Sequence, residues 1–250
     1  MRRRRRNKIH NQPIYIDNSS KEIVELWILR ILLPLNGHRE FIDAMRGFSE
    51  DSVAYFLGLD KFIDDYDDKD KKEIFQMMRS RLQALETSAS PKFPKTLKRN
   101  IKKVMKLIDL NKVERDILIF TIYLKYYDLM DSATRTLNDL STDRAVGVLS
   151  VLLDHKSSKV KAALSPQGKL AQSGLVSVDR DGSNSLLNKL DILSRDFADR
   201  MMNLNGEIEE VIRDSVRRCT PPELSVGDFE HLKIDMDLLI PHLDRAIQEH

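Results

Sequence analysis

Lysines are the residues of this chain whose type and spacing most clearly suit a chemical role. The stretch KFPKTLKRNIKKVMK contains seven basic residues and no acidic residue. Four of its lysines recur at intervals of three and four residues, namely Lys95, Lys98, Lys102 and Lys106. On a helix this spacing predicts a stripe of ammonium groups along one exposed face. Such a stripe suits the phosphates of nucleic acid or an acidic protein partner. A solvated face that pairs with the acidic segment from Asp60 to Asp70 is the alternative.

A second group of polar residues suits contact with DNA or with a protein. Lysines bind phosphate groups, and glutamine amides can read base edges in a DNA groove. On the first of two neighbouring predicted helices, the candidate contacts are Lys156, Ser157, Ser158, Lys159 and Lys161. On the second, they are Gln167, Lys169 and Gln172.

The sequence lacks the residue patterns of catalytic and nucleotide-binding sites. Its six histidines are scattered and show no His-x-x-x-His pair: His10, His38, His155, His231, His242 and His250. It contains no Gly-x-Ser-x-Gly elbow and no Gly-x-x-x-x-Gly-Lys-Ser/Thr loop. Cys219 follows two arginines that favour a thiolate, but no base for it is identifiable. We therefore expect no catalytic residue, no nucleotide site and no cofactor, and a chain that is not an enzyme by itself.

An acidic segment, DKFIDDYDDKD, carries carboxylates of the kind that bind calcium. A calcium-binding loop requires a glycine at its sixth position and a glutamate at its twelfth, and no starting register here supplies them. We expect an acidic loop in front of a helix from Lys71 to Leu85, because aspartates stabilise a helix N-terminus. One cysteine also rules out an internal disulfide and a thiolate metal site, so no metal site is predicted.

The helices that carry the second polar group resemble a helix-turn-helix. A helix over residues 142–155, capped by Ser141 or Thr142, precedes one from Lys156 to Leu164. Ser165 as N-cap and Pro166 at the first helical position then predict a further short helix. That helix should end at Gly174, a residue type that accepts the left-handed conformation.

A hairpin is predicted directly after these helices. Leu175, Val176 and Val178 indicate a strand, RDGSN contains the Asp-Gly turn signal, and Leu186-Leu187 indicates the return strand. Helices and hairpin in this order predict a winged helix-turn-helix, a module that binds DNA or proteins. Against DNA, the wing carries two acids and one base, and the last helix is short for a major groove.

Further helices are predicted from the spacing of apolar residues and from capping signals. They cover about residues 20–33, 39–45, 51–57, 95–108, 112–127, 129–140, 194–202 and 207–218, and a final helix begins at about residue 234. Asn111 followed by Glu114 predicts a capping box at the start of the helix over 112–127, and that helix is apolar enough to be central. Trp27 is expected in the core.

Composition favours a mainly α protein. The 250 residues are 41% hydrophobic and 32% charged, with few glycines and prolines and a net charge of +2. We predict a disordered basic tail over 1–18, a helical domain over 19–90, a helical and winged-helix domain over 91–203, and a helical extension over 204–250. No apolar run approaches the roughly 20 residues that span a bilayer. A cytoplasmic protein without membrane contact is therefore expected, and the Arg2–Arg6 block is interpreted as a solvated tail.

Three segments resemble the N-terminal region that precedes the ATPase core in a group of bacterial AAA+ proteins. They are VERDILIFTIYLKYYDLM, LSPQGKLAQSGLVSVDRDG and LSVGDFEHLKIDMDLLIPHLDRAI, and the resemblance extends from about Leu97 to the end of the sequence. It implies a recognition or regulatory part of such a protein. Because no phosphate-binding loop occurs in the sequence, no ATP-binding residue is transferred to it.

Two binding hypotheses follow. In the preferred one, the chain docks a protein: a substrate, an adaptor, an AAA+ core or sister subunits, and homo-oligomerisation is compatible with it. In the alternative, the winged helix and the lysine stripe bind DNA. The near-neutral net charge and the family resemblance favour the protein partner.

Overall fold

Regular apolar spacing produces helices along most of the chain. The computed structural model describes residues 16–43, 47–63, 68–88, 92–212, 228 and 233–248. Within these residues the chain forms fourteen α-helices and two small antiparallel sheets of two strands each. The predicted mainly α class is confirmed. The predicted Arg2–Arg6 tail and Cys219 lie outside the described residues.

The first part of the fold is built around one apolar helix. This helix, α1 (Lys21–Leu32), is buried on nearly all faces, and Trp27 packs edge-on against Phe120 and Tyr123. The elements that follow it are α2 (His38–Phe41), β1 (Ile42–Asp43), β2 (Gly47–Phe48), α3 (Asp51–Phe56), a 3-10 turn (Asp60–Phe62) and α4 (Asp68–Thr87). Of these, α4 packs along α1.

One helix prediction in this part is wrong. The helix expected over 39–45 ends at Phe41, and Ile42 begins a strand that pairs with Phe48. The pairing places the rings of Phe41 and Phe48 4.9 Å apart in the core. Burial of both rings therefore overrides the helical spacing of a short segment.

The centre of the fold is a helix whose start follows the prediction. Helix α6 (Lys112–Tyr126) begins with the capping box: Asn111 Oδ1 accepts from the Glu114 backbone N–H at 3.1 Å, and the Glu114 carboxylate accepts from the Asn111 N–H at 2.8 Å. It is flanked by α5 (Lys95–Ile108) and α7 (Asp128–Arg135). The helix predicted to reach residue 140 ends at Arg135, since Leu140 forms an isolated antiparallel bridge with Asn184.

The segment predicted as a winged helix contains three helices before its hairpin. They are α8 (Thr142–Leu153), capped by the Ser141 hydroxyl, α9 (Ser157–Ala163) and α10 (Lys169–Gln172). The helix start predicted at Ser165-Pro166 is wrong. Residues 165–168 form a turn closed by a 2.9 Å hydrogen bond from the Gly168 N–H to the Ser165 carbonyl. The helix therefore begins only after Gly168.

The hairpin differs from the prediction in its second strand. Strand β3 (Val176–Val178) pairs with β4 (Leu190–Ile192), whereas the predicted return strand at Leu186-Leu187 lies in α11 (Leu186–Lys189). The Ser185 hydroxyl caps this helical turn by accepting from the Asn188 N–H at 3.3 Å. A local cap thus decides against the strand that the apolar pair indicated.

The chain divides into two compact units, Met1–Ser215 and Val216–His250. The first unit ends its described part with α12 (Arg195–Asn203) and α13 (Ile208–Val211). The helix predicted over 207–218 is short where it is described, and residues 213–220 lie outside the described part. In the second unit, α14 (Lys233–Gln248) starts close to its predicted position and contains Pro241.

None of the helices in the described part of the chain has the length and apolar character needed to cross a bilayer.

Candidate partner-binding groove

Helix α5 presents the predicted lysine stripe to solvent. Leu97, Ile101 and Val104 are buried on one face, whereas the four stripe lysines are exposed. None of these lysines forms an ion pair with another residue of the described chain. Asp64, Asp65, Asp67 and Asp68 have side chains outside the described part of the chain, so the alternative in which the stripe pairs with the acidic segment from Asp60 to Asp70 stays a prediction.

A groove lies beside the stripe, between α5 and α6. It has a volume of about 300 Å³, and its apolar lining consists of Phe93, Leu97, Ile101, Met105 and Ile119. Lys98 and Lys102 from α5 and Arg115 from α6 also line it. The groove therefore combines an apolar floor with cationic side chains. Two of the four predicted stripe lysines line this groove, and the other two lie toward the ends of α5.

The opposite side of α5 is fixed by a buried amide. Asn100 is fully buried, and its Nδ2 donates to the carbonyl oxygens of Met201 at 3.1 Å and Leu204 at 2.9 Å. One turn further, Lys103 Nζ donates to the Gly206 carbonyl at 2.9 Å. These bonds satisfy carbonyls at the C-terminal end of α12 and in the segment that follows it. They hold α5 in place and so define one wall of the groove.

The start of α6 connects the groove to the turn between α8 and α9. Arg115, which lines the groove, lies with its guanidinium 2.7 Å from the Asp116 carboxylate. The other oxygen of Asp116 is 2.8 Å from His155 Nε2. Because His155 directly precedes Lys156, the exposed lysine at the start of α9 follows a residue tied to this wall.

The predicted contacts on α9 and α10 are exposed or nearly so, but two of their four lysines are engaged within the protein. Lys161 Nζ lies 3.4 Å from the Asp143 carboxylate. Lys169 Nζ lies 2.7 Å from the Asp109 carboxylate, and this hydrogen bond lowers the pKa of the Asp109 carboxyl. The other two lysines, Lys156 and Lys159, are exposed and have no ion pair in the described chain. The remaining predicted contacts, Ser158, Gln167 and Gln172, are also exposed.

The wing is held by cations that point inward. Arg180 donates to the Leu164 carbonyl at 2.8 Å. Lys189 is fully buried, and its Nζ donates to the carbonyls of Asp179 at 2.9 Å, Asp181 at 3.0 Å and Gly182 at 2.9 Å. These side chains stabilise the loop and are not available to phosphates. Lys189 was not singled out from the sequence, although a lysine within the apolar run LLNKLDI was a usable signal.

A larger depression of about 570 Å³ lies between α4 and the end of α1. Leu33, Phe75 and Leu82 contribute its apolar lining, but its charged side chains, Arg79 and Glu86, are of opposite sign. The mixed charge selects no partner. We therefore place the candidate site at the smaller groove between α5 and α6.

No catalytic constellation is visible among the described residues. His155 contacts Asp116, but the nearby Ser150 hydroxyl donates to the His155 backbone carbonyl and not to its ring. In the same part of the chain, no three residues of the types His, Cys, Asp and Glu are grouped in a way that could hold a metal ion.

Comparison of the chain with protein-family models, curated proteins and solved structures gives no match. The similarity to the region that precedes an AAA+ core therefore remains a prediction from the sequence segments quoted above.

Proposed function

We propose that the chain is an interaction module that carries out no catalysis and binds a protein partner on the α5–α6 side. The main observation that supports this proposal is the groove, whose apolar floor is flanked by Lys98, Lys102 and Arg115. An apolar concavity with a few directed charges is typical of sites that bind proteins and small molecules.

Two features favour a protein over DNA. First, the half-buried side chains of Phe93 and Met105 gain free energy when apolar side chains cover them, and the phosphate backbone of a duplex offers no such side chains. Second, Arg180 and Lys169 donate to backbone carbonyls within the protein, whereas Lys161 forms only an exposed ion pair with Asp143. The predicted winged helix therefore serves in this proposal as a scaffold beside the groove.

The similarity to AAA+ proteins supports the same proposal. In that context the module is a recognition or regulatory part, and its partner is a substrate, an adaptor, an ATPase core or a sister subunit. Such partners are proteins, which can offer apolar and acidic side chains to the groove.

DNA binding is the second candidate function, and one observation favours it. All four stripe lysines are exposed and lack ion pairs within the described residues, as do Lys156 and Lys159. Each of these side chains that reached a phosphate would release counterions and add to the salt dependence of binding.

Photo-crosslinking tests the protein partner directly. A photoreactive amino acid replaces Lys95 or Lys106, which lie at the ends of the stripe, and the matched control replaces the exposed Gln76 on α4. We expect discrete protein adducts in host cells from the α5 positions and none from Gln76. Equal adducts at all three positions, or none, would contradict the proposal.

DNA binding is measured in parallel with labelled duplex and single strands. We expect no specific binding at low salt. An affinity that falls steeply between about 50 and about 200 mM salt, together with the absence of protein adducts, would establish the second candidate instead.

A further inference from the structure

We infer that the α5–α6 groove binds an amphipathic α-helix whose apolar stripe is flanked by acidic residues on the side that faces α5. This inference rests on the proposed protein-binding function and specifies the partner's structure and charge. Three observations support it: the spacing of the apolar residues on α5, the helical structure of both groove walls, and the positive charge on α5 that has no ion pair among the described residues.

The floor has two half-buried side chains at the ends of a buried row. Leu97, Ile101 and Met105 follow one another at every fourth position of α5, so they extend over about 12 Å of helix axis. Leu97 and Ile101 are buried, as is Ile119 of α6, whereas Phe93 and Met105 at the two ends of the row are half-buried. A partner helix would contact Phe93 and Met105 with apolar residues on successive turns.

The walls favour a helix over an extended peptide. Extended peptides gain affinity by pairing their backbone with the free edge of a sheet. Here both walls are helices, α5 and α6, whose backbone groups bond within each helix. An extended peptide would therefore lose water from its N–H and C=O groups without gaining partners. A helix satisfies most of these groups internally, so it loses fewer backbone hydrogen bonds to water when it enters the groove.

The charges of the two walls are unequal. Lys98 and Lys102 on the α5 wall have no ion pair among the described residues. On the α6 wall, the guanidinium of Arg115 is already bonded to Asp116 at 2.7 Å. The uncompensated positive charge thus belongs to the α5 wall. Acidic residues of the partner gain most when they lie beside α5, which fixes the orientation of the helix about its axis.

Selection from a peptide library tests the inference without knowledge of the natural partner. Random phage-displayed peptides of about 15 residues, a length at which isolated helices become stable, are selected on the full chain. We expect enriched peptides with apolar residues at three- and four-residue spacing, a net negative charge, and a helical circular dichroism signal when bound.

Two charge-matched variants locate the site. K98E/K102E reverses the α5 wall, and K21E/K72E makes the same change in net charge at exposed lysines that do not line the groove. We expect the first variant to bind the enriched peptides at least about tenfold more weakly at low salt and the second to bind them nearly as the wild type does. A peptide whose acids are replaced with lysine should then prefer K98E/K102E over the wild type.

Each outcome separates this inference from the function on which it rests. Enrichment of extended or basic peptides, equal effects of the two variants, or no enrichment at all would overturn the acidic helix as ligand. Protein adducts from Lys95 and Lys106 would in that case still support protein binding. Displacement of the enriched peptides by duplex DNA, without any protein adduct, would overturn both.

Discussion

Lys189 and Asp179 are joined twice: Lys189 Nζ donates to the Asp179 carbonyl at 2.9 Å and lies 3.6 Å from its carboxylate. A hydrogen bond from the Asp181 N–H and the charge of Lys189 lower the pKa of the Asp179 carboxyl. The carbonyls of Asp181 and Gly182 complete the shell around the ammonium. The loop of the wing is thus folded around one buried cation.

Replacing Lys189 with methionine should destabilise the protein. The substitution keeps an apolar side chain of similar length but removes the donor shared by three carbonyls. A polar group left without a partner costs about 1 to 3 kcal/mol, and water can reach part of this exposed loop. We therefore expect the free energy of unfolding to fall by about 2 to 3 kcal/mol in a urea titration, with faster amide hydrogen exchange over residues 179–184.

Lys159→Met is the matched control for this substitution. Lys159 is exposed on α9 and has no ion pair among the described residues, so its loss should change stability by less than about 0.5 kcal/mol. Equal stabilities of the two variants would show that the buried ammonium does not hold the wing.

The contrast between α6 and the wing shows what sequence reasoning can and cannot reach. The start of α6 was predictable because Asn111 and Glu114 satisfy each other within one turn. The position of the second hairpin strand was not predictable, since Leu186-Leu187 suits a strand or a helical turn equally well. The Ser185 cap decided between them. The alternation of Leu190, Asp191 and Ile192 marked the true strand, but it was weaker than the apolar pair before it.

The lysines of the candidate site were predictable from the sequence, but the groove beside them was not. Exposure of Lys98 and Lys102 follows from the helical period of α5 alone. The groove does not, because it also requires Ile119 and Arg115 of α6, and the packing angle of two helices is not encoded in either one. Nor could the spacing show that Asn100, in the middle of the lysines, is fully buried.

Asn100→Ala should loosen the attachment of α5 to α12. The amide of Asn100 reaches the carbonyls of Met201 and Leu204, and both lose this donor in the variant. We expect a loss of about 2 to 4 kcal/mol in the free energy of unfolding, from the unsatisfied carbonyls and the cavity together. Lys98→Ala, on the exposed side of the same helix, should be neutral within about 0.5 kcal/mol. A neutral Asn100→Ala would mean that the amide contributes nothing to this attachment.

A hydrogen-bond network around Asp17 fixes the start of α1 to α6. The Asp17 carboxylate accepts from the Ser20 hydroxyl at 2.6 Å and from the Tyr127 hydroxyl at 2.8 Å, and the Ser20 hydroxyl is 2.8 Å from that of Tyr123. Burial alone would raise the pKa of Asp17, but hydrogen bonds from Ser19, Ser20 and Tyr127 outweigh it and lower the pKa. Burial raises the pKa of both tyrosines, which therefore remain protonated.

Asp17→Asn should destabilise the protein in a pH-dependent way. Because the folded pKa of Asp17 lies below its unfolded value, the ionised carboxyl stabilises the fold above the unfolded pKa of about 4, and this stabilisation is lost as the pH falls through the folded pKa. We expect a deficit of about 1 to 2 kcal/mol near neutral pH that shrinks in urea titrations at acidic pH. Asp139→Asn, at an exposed loop position, should show no such deficit. A deficit that stays constant across the pH range would rule out the ionised carboxyl as its cause.

Two glycines of the predicted winged helix differ in what surrounds them. A Cβ at Gly168 would lie 2.6 Å from the Ala163 carbonyl oxygen and 3.1 Å from that of Ser165, both backbone atoms that cannot move aside cheaply. At Gly147, in the middle of α8, a Cβ would meet nothing within 4 Å. Substitution by alanine therefore acts mainly through packing at Gly168 and mainly through backbone entropy at Gly147.

Alanine at these two positions should change stability in opposite directions. Gly168→Ala forces the turn between α9 and α10 open, and we expect it to lower the free energy of unfolding by about 1 to 3 kcal/mol. Gly147→Ala removes the conformational cost of a glycine within a helix, and we expect a gain of about 0.5 to 1 kcal/mol. Thermal and urea unfolding of both variants measure the two signs. A gain from Gly168→Ala would show that the turn has room for a side chain, and the close approach of residues 163–168 would then not be what delays the start of α10.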